Sequence, residues 1–348
     1  MHDPASRRSS EPIDCLVTGG TGLVGNNVIR RLAADGHHVR TLVRNGRSDR
    51  EFQGVEVGRC VGDVTDADAV RRAVAGARVV IHSAAMVHVG WRHLDAMRRV
   101  NVDGTRLVAE AARREGARLI QVSSVNALGL TGDDSPADEE TPFGNTVECP
   151  YVVTKREAEQ VVLDEVDRGL DAVIVNPVFM LGPWDWKPSS GRMLLEVAAG
   201  RGLLAPPGSQ HFGDVRDVTS GIVAAMTAGR RGRRYILGGH HLRFIDAWKL
   251  FAETAGRRPP CGEAPLPVVR LAGKVGDWIA GCVGREGPLN SAAATMSLLC
   301  QHYSSDRARR ELGYTIRPLE QTIADSWQWF VDHGYARPAR STCDRRAS

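Results

Sequence analysis

Tyr151 and Lys155 stand four residues apart in "YVVTKREAE", a stretch with helical periodicity, so both belong to one helix face. A tyrosine, with a reference pKa near ~10, is a poor acid–base catalyst at neutral pH. A nearby ammonium favours the phenolate and draws the hydroxyl toward the working range. Ser123 and Ser124, in "LIQVSSVNALG", close an apolar run and offer hydroxyls that can share a substrate oxygen with such a tyrosine. A Tyr-x-x-x-Lys spacing recurs by chance in many helices. Its meaning depends on what the rest of the chain sets beside it.

The stretch "CLVTGGTGLVGNNVIRRL" has the order strand, glycine turn, helix. Gly19 lets the chain turn after Thr18, and Gly22 removes a side chain where backbone must approach a pyrophosphate. Gly25 permits close packing of helix on strand. The first helical residues, Leu23 and Val24, bring N–H groups and the positive helix end to the phosphates. The competing reading is a plain turn between strand and helix. An NAD-selective site places a carboxylate at the end of the second strand, "HHVRTLVR", and that position is Val43, followed by Arg44 and Arg47. A guanidinium pairs with a 2′-phosphate, so NADP is expected ahead of NAD. Arg44 stacked on the adenine of either nucleotide is the alternative.

From Ile13 onward, short apolar runs alternate with helical patterns: "ARVVIHSAA", "ARLIQVSS" and "LDAVIVNP" read as strands, and Asp66–Ala75 and "LDAMRRVNVDGTRLVAEAARREG" as helices. That alternation predicts an α/β fold with a doubly wound, parallel Rossmann-type sheet. The dinucleotide-binding domain is expected over 13–178, with a returning strand near 233–239. A smaller, mostly helical substrate region covers 179–335, and 1–12 and 336–348 read as tails.

Further motifs fall in a consistent order. T-G-x-x-G-x-x-G (Thr18–Gly25), "VGDVTD", "VIHSAA", "NVDGT", Tyr151 with Lys155, "NPVFMLGP", "FGDVRDV" and "YSSDRARRELGY" run along nearly the whole chain. Together they resemble the extended branch of the short-chain dehydrogenases/reductases, the NAD-dependent epimerase/dehydratase family, most of all its dihydroflavonol reductase-like and 3β-hydroxysteroid dehydrogenase-like members. The resemblance implies Ser124 as the catalytic hydroxyl, with Ser123 as the fallback. It also implies Tyr151 as proton donor in the reductive direction, and Lys155 as the tuning and ribose-binding cation. Asp63 and Val64 correspond to the adenine edge, although Asp63 can equally serve a turn or helix cap. Ser83, Ala84 and Ala85 correspond to the strand end beneath the nicotinamide side, Asn101 to a structural support, and Pro177 and Val178 to backbone that reaches the nicotinamide amide.

Three features favour a reductase within that family. Phe179 occupies the place where nucleotide-sugar enzymes often carry Asn, Val125 and Asn126 follow Ser124 where dehydratases need acids, and Val43 replaces the NAD-selective carboxylate. The expected substrate pocket comprises Met86, Val87, Asn126, Phe179, Met180, Trp184 and Trp186, with Val268–Val283 as a lid. For Met180 and the tryptophans the competing role is core filling, and Arg216 is either an anion site or part of an ion-pair cluster. The reading is a hydride transfer between NADP(H) and a small hydrophobic carbonyl or alcohol. A nucleotide-sugar epimerase or dehydratase holding NAD is the runner-up. A nucleotide-sensing regulator is the third reading; such proteins typically lose the Tyr–Lys pair kept here.

Bulk properties narrow the class. Much of the net charge of +4 in 348 residues sits in the two ends, which argues against a nucleic-acid partner. Seven scattered cysteines without a C-x-x-C pair argue against a disulfide framework or metal site and fit a reducing cytoplasm. No integral membrane segment is expected: Val268–Val283 is interrupted by Arg270, Lys274 and Asp277. A homodimer through the helices carrying Asn101 and Tyr151 is an expectation by analogy.

Overall fold

The computed structural model describes residues 12–45, 49–132 and 135–337. Arg47 and most of both expected tails lie outside the described residues.

The strands, in chain order, are β1 (Asp14–Thr18), β2 (His38–Val43), β3 (Gly58–Val61), β4 (Val79–His82), β5 (Arg118–Val122) and β6 (Ala172–Pro177). They continue with β7 (Phe179–Leu181), β8 (Leu204–Ala205), β9 (Ser209–Asp214), β10 (Arg234–Leu237), β11 (His240–Arg243) and β12 (Gly262–Glu263). The helices of the first half are α1 (Leu23–Ala34), α2 (Ala67–Val74), α3 (Leu94–Met97), α4 (Gly104–Glu115) and α5 (Pro150–Asp167). Those of the second half are α6 (Gly191–Ala198), α7 (Val215–Ala228), α8 (Phe244–Thr254), α9 (Leu266–Val283), α10 (Ser291–Met296), α11 (Asp306–Leu312) and α12 (Leu319–Asp332).

Seven strands make one parallel sheet in the order β10-β6-β5-β4-β1-β2-β3. Its central strands are covered on both faces, which explains their unbroken apolar runs. Alternate residues feed two cores. Val17, Ile81, Ile120 and Val175 pack with Val28, Ile29 and Leu32 of α1 and Val218 and Ile222 of α7. Their neighbours Leu16, Val80, Leu119 and Ile174 pack with Val70 of α2, Val108 of α4 and Val162 of α5. Each such side chain contributes roughly 1.5–3 kcal/mol when fully buried.

Winding reverses between β1 and β4, so their carboxyl ends open a crevice, the usual ligand position in sheets of this type. The segment Arg233–Gly239 returns to the sheet as β10, beside β6. A second sheet, β11-β9-β7, and helices α6, α8 and α12 enclose a third core around Phe212, Phe251 and Phe330.

Two elements differ from the sequence expectation. The long helix over Leu94–Glu115 contains a π-helical segment, Arg98–Asp103, which turns Asn101 inward. The edge strand β3 was not expected. Its residues are largely solvent-facing, so it lacks the apolar run that marks the inner strands.

Candidate active site

The crevice between β1 and β4 forms a cleft of about 440 Å³. Gly19, Gly22, Val43, Arg44, Asp63, Val64, Ser83, Ala84 and Ala85 line it, as do Thr21, Asn45 and Lys187, which no local motif marks. Thr18, Leu23, Val24 and Gly25 belong to the same strand–turn–helix segment but are not part of that lining. Gly19 has φ +72°, and a Cβ there would lie 2.7 Å from the Ala84 nitrogen; a Cβ on Gly25 would overlap the Gly19 carbonyl oxygen. No side chain caps α1 at Gly22, so its first turn offers backbone N–H groups to an anion. These features fit a dinucleotide pyrophosphate. Asp63 serves its own turn, its carboxylate accepting from Thr65 N and Oγ1 at 2.9 and 2.8 Å, while Asp66 caps α2.

His82, at the end of β4, joins the two strands that flank the crevice. Its Nδ1 lies 2.6 Å from Thr18 Oγ1 and its Nε2 3.1 Å from Thr105 Oγ1. Burial, reinforced by the Lys155 charge, pushes its pKa down to about 3 from 6.5. The unfolded imidazole takes up a proton near 6.5 and the folded one only near 3, so the unfolded state binds more protons between them. Stability from this group is therefore complete above about pH 6.5 and declines as the pH falls toward 3. At about pH 5 the loss is roughly 2 kcal/mol. Urea unfolding near neutrality and near pH 5 checks this: His82→Gln is expected to show a shallower loss on acidification than the parent.

A second cleft, of about 380 Å³, opens past the carboxyl ends of β5 and β6 and holds Ser123, Ser124, Asn126 and Tyr151. Tyr151, near the start of α5, is buried beside Ser124, whose hydroxyl favours the phenolate. Ser124 Oγ accepts from Asn126 N at 3.2 Å and from Asn126 Nδ2 at 3.3 Å. With both acceptor positions engaged, the Ser124 hydroxyl proton is free to turn toward Tyr151 or toward a substrate oxygen. The Ser124 carbonyl accepts from Asn176 Nδ2 at 3.0 Å, and the same amide donates to Glu159 Oε1 at 2.6 Å. Arg234 closes this chain on Glu159 Oε2 at 2.6 Å. One turn along α5 from Tyr151, Lys155 Nζ donates to the Val122 carbonyl at 3.2 Å. Asn101 ties the floor together, accepting from Met86 N at 2.7 Å and donating to Thr154 Oγ1 at 3.1 Å.

The electrostatics depart from the sequence expectation. Burial raises the Tyr151 pKa, and the Ser124 hydrogen bond offsets only part of that rise. Lys155 is itself pushed down to about 8 by burial, with Glu159 acting in the opposite direction. Desolvation thus sets the direction of the shift, and Tyr151 holds its proton at neutral pH.

Val87, Asn126, Phe179 and Met180 line the second cleft, with Pro177 and Val178. Other expected pocket residues do not. Met86 lines the nucleotide cleft instead. Trp184 and Trp186 belong to the third core, where Trp186 packs edge-on against Trp329 with ring centroids 5.0 Å apart and Arg30 lies 3.3 Å from the Trp184 ring centre. Their indole rings are drawn there by the aromatic cluster of α12. Helix α9 does not line either cleft: it packs on α10, and α10 supplies the cleft residues Ala293 and Met296. Arg216 pairs with Asp214 and Asp325, each at 2.7 Å, and is committed to an ion-pair cluster. Ser189, Met193, Gln210, Phe244 and Gln301 also line the cleft; they come from distant segments with no local signal.

A dinucleotide-sized cleft at the switch point, opening beside a Ser–Tyr–Lys cluster, is the arrangement of the extended short-chain dehydrogenases/reductases. Residues 15–238 match the model of the NAD dependent epimerase/dehydratase family, and the chain belongs to that family. It is 32% identical over 333 residues to a putative dihydroflavonol 4-reductase of Synechocystis sp., covering 93% of this chain and 96% of the relative. It is also 32% identical to sterol demethylase protein B of Methylococcus capsulatus, covering 92% and 98%. The crystal structure of gox2253 superposes with a TM-score of 0.81 at 35% identity, covering 93% of this chain and 99% of that one. The chain is accordingly an enzyme of the extended short-chain type. Among the described residues, no helix is long and apolar enough to cross a membrane.

Proposed function

We propose that the protein is an NADP(H)-dependent reductase or dehydrogenase acting on an apolar ketone, aldehyde or alcohol. The observation that carries this reading is a protonated Tyr151 beside Ser124 in a cleft walled by Val87, Phe179, Met180, Phe244 and Met296. Such walls suit a hydrophobic molecule better than a sugar diphosphate. The names carried by the relatives, a dihydroflavonol reductase and a sterol demethylase component, support the same substrate class.

The nucleotide, when bound, supplies or receives the hydride. In the reductive direction Tyr151 gives its proton to the substrate oxygen, and Ser124 steadies the charge that develops there. Lys155 keeps a positive charge beneath the reacting groups below about pH 8. Asn126 acts one step back by fixing the Ser124 rotor. Asn126→Ala is expected to lower kcat by roughly tenfold, the loss of about one hydrogen bond, with nucleotide affinity unchanged. Steady-state kinetics beside a nucleotide titration separate the two effects.

For the nucleotide, Val43 leaves no carboxylate to repel a 2′-phosphate, while Arg44 and Lys187 border the cleft. Arg44→Glu is expected to weaken NADPH binding by roughly ten- to hundredfold and to leave NADH binding nearly unchanged. Fluorescence titration with each nucleotide tests this, and tighter NADH than NADPH binding by the parent would overturn the assignment.

A further inference from the structure

Helix α9 is amphipathic in the inverted sense. Its buried residues are Gly273, Gly276 and Ala280. A Cβ on Gly273 would lie 2.8 Å from Ala294, and one on Gly276 would overlap the Leu289 carbonyl, so the small residues hold α9 tightly against α10 and its surroundings. The large apolar side chains point the other way. Leu271, Trp278 and Val283 are 62%, 70% and 70% exposed, and Val275 and Ile279 continue the same stripe at three- and four-residue spacing. A helix that served only the core would bury these residues and expose the small ones.

The charges beside the stripe are of one sign. Arg270, Lys274 and Arg285 are exposed on or just after the helix. The helix's one acidic residue, Asp277, is turned inward and accepts from Ser291 N at 3.0 Å. We propose that the exposed face of α9 docks on the surface of an anionic lipid bilayer, the helix lying in the plane of the interface with its basic residues against the headgroups. Its 18 residues give roughly 27 Å of contact length. A second copy of the chain is the less suitable occupant, because a two-fold contact through this face sets the same basic residues against one another.

The position gives the docking a purpose. Helix α10 separates α9 from the substrate cleft and contributes Ala293 and Met296 to its wall. Trp91, 47% exposed, donates to Ser291 Oγ of α10 at 2.7 Å, and Val87, 59% exposed, lines the cleft itself. Exposed apolar surface therefore flanks α10 on the cleft side as well, and an apolar substrate can pass from bilayer to site with little exposure to water. This deepens the reading of an apolar substrate. Its test runs without substrate, so either reading can fail alone.

The test is co-sedimentation of the full chain with phosphatidylcholine vesicles, with and without phosphatidylglycerol. Binding is expected to the phosphatidylglycerol vesicles and to weaken as salt is raised. Each basic residue near the surface is worth about fivefold in partitioning, so R270Q/K274Q is expected to bind roughly twenty-fivefold more weakly. L271E/W278E is expected to abolish binding. Unchanged nucleotide affinity and thermal unfolding in these variants show that folding is intact. Absence of binding by the parent, or parental binding by L271E/W278E, overturns the proposal. A parent dimer that W278E converts to monomer, without vesicle binding, assigns the face to a second copy instead.

Discussion

Tyr151→Phe is expected to lower kcat by about three orders of magnitude while nucleotide affinity stays near that of the parent. The phenylalanine ring keeps its place among Met97, Val147, Val152 and Met296, so the packing around the start of α5 survives. What is lost is the phenolic proton that Tyr151 would give to the substrate oxygen. Ser124 remains and still steadies the developing charge, which leaves residual activity rather than none. Turnover with a reducible ketone, measured beside a nucleotide titration, checks both halves. A fall in affinity equal to the fall in kcat would mean that Tyr151 binds rather than reacts.

Gly25→Ala is expected to weaken nucleotide binding by roughly tenfold to a hundredfold, through overpacking rather than loss of any contact. The added methyl overlaps the Gly19 carbonyl and approaches Ser83 Oγ to 2.8 Å. Neither neighbour gives way freely. Gly19 is held at positive φ against the end of β4, and Ser83 Oγ donates to the Thr18 carbonyl at 2.7 Å. The strain falls on the turn that approaches the phosphates. Calorimetric titration with NADPH reads the effect, and thermal unfolding shows how much of it is spent on the fold.

The legible parts of this chain are those written in short spacings. The doubly wound sheet follows from alternating runs whose two faces are both buried. Ser124, Tyr151 and Lys155 were selected because a hydroxyl at a strand end and a four-residue helical spacing are local patterns, and the fold brings these residues into one neighbourhood. The proton state of Tyr151 was not legible. It depends on how deeply α5 is buried, which no spacing records. His82 was passed over for a related reason: a histidine inside an apolar strand acquires meaning only from the threonines that meet it, Thr18 and Thr105, from two other elements.

The substrate side was read least well. Trp184 and Trp186 sit close in sequence to Phe179 and Met180, yet Gly182, at φ +150°, redirects the chain between them. The tryptophans then join an aromatic cluster supplied by a helix more than a hundred residues later. The cleft walls that replace them, Gln210, Phe244, Met296 and Gln301, come from four separate segments. Helix α9 shows the same limit in reverse: only tertiary packing reveals that its apolar face looks outward.

Net hydride transfer to an external apolar carbonyl is the reaction proposed for this site. The most direct measurement follows nicotinamide absorbance while the protein and NADPH are mixed with a series of hydrophobic ketones and aldehydes, with products identified by mass. Consumption of NADPH matched one for one by alcohol formed is the predicted result. Interconversion of a sugar nucleotide with no net change in nicotinamide absorbance, and no oxidation of NADPH by any apolar carbonyl, would contradict it.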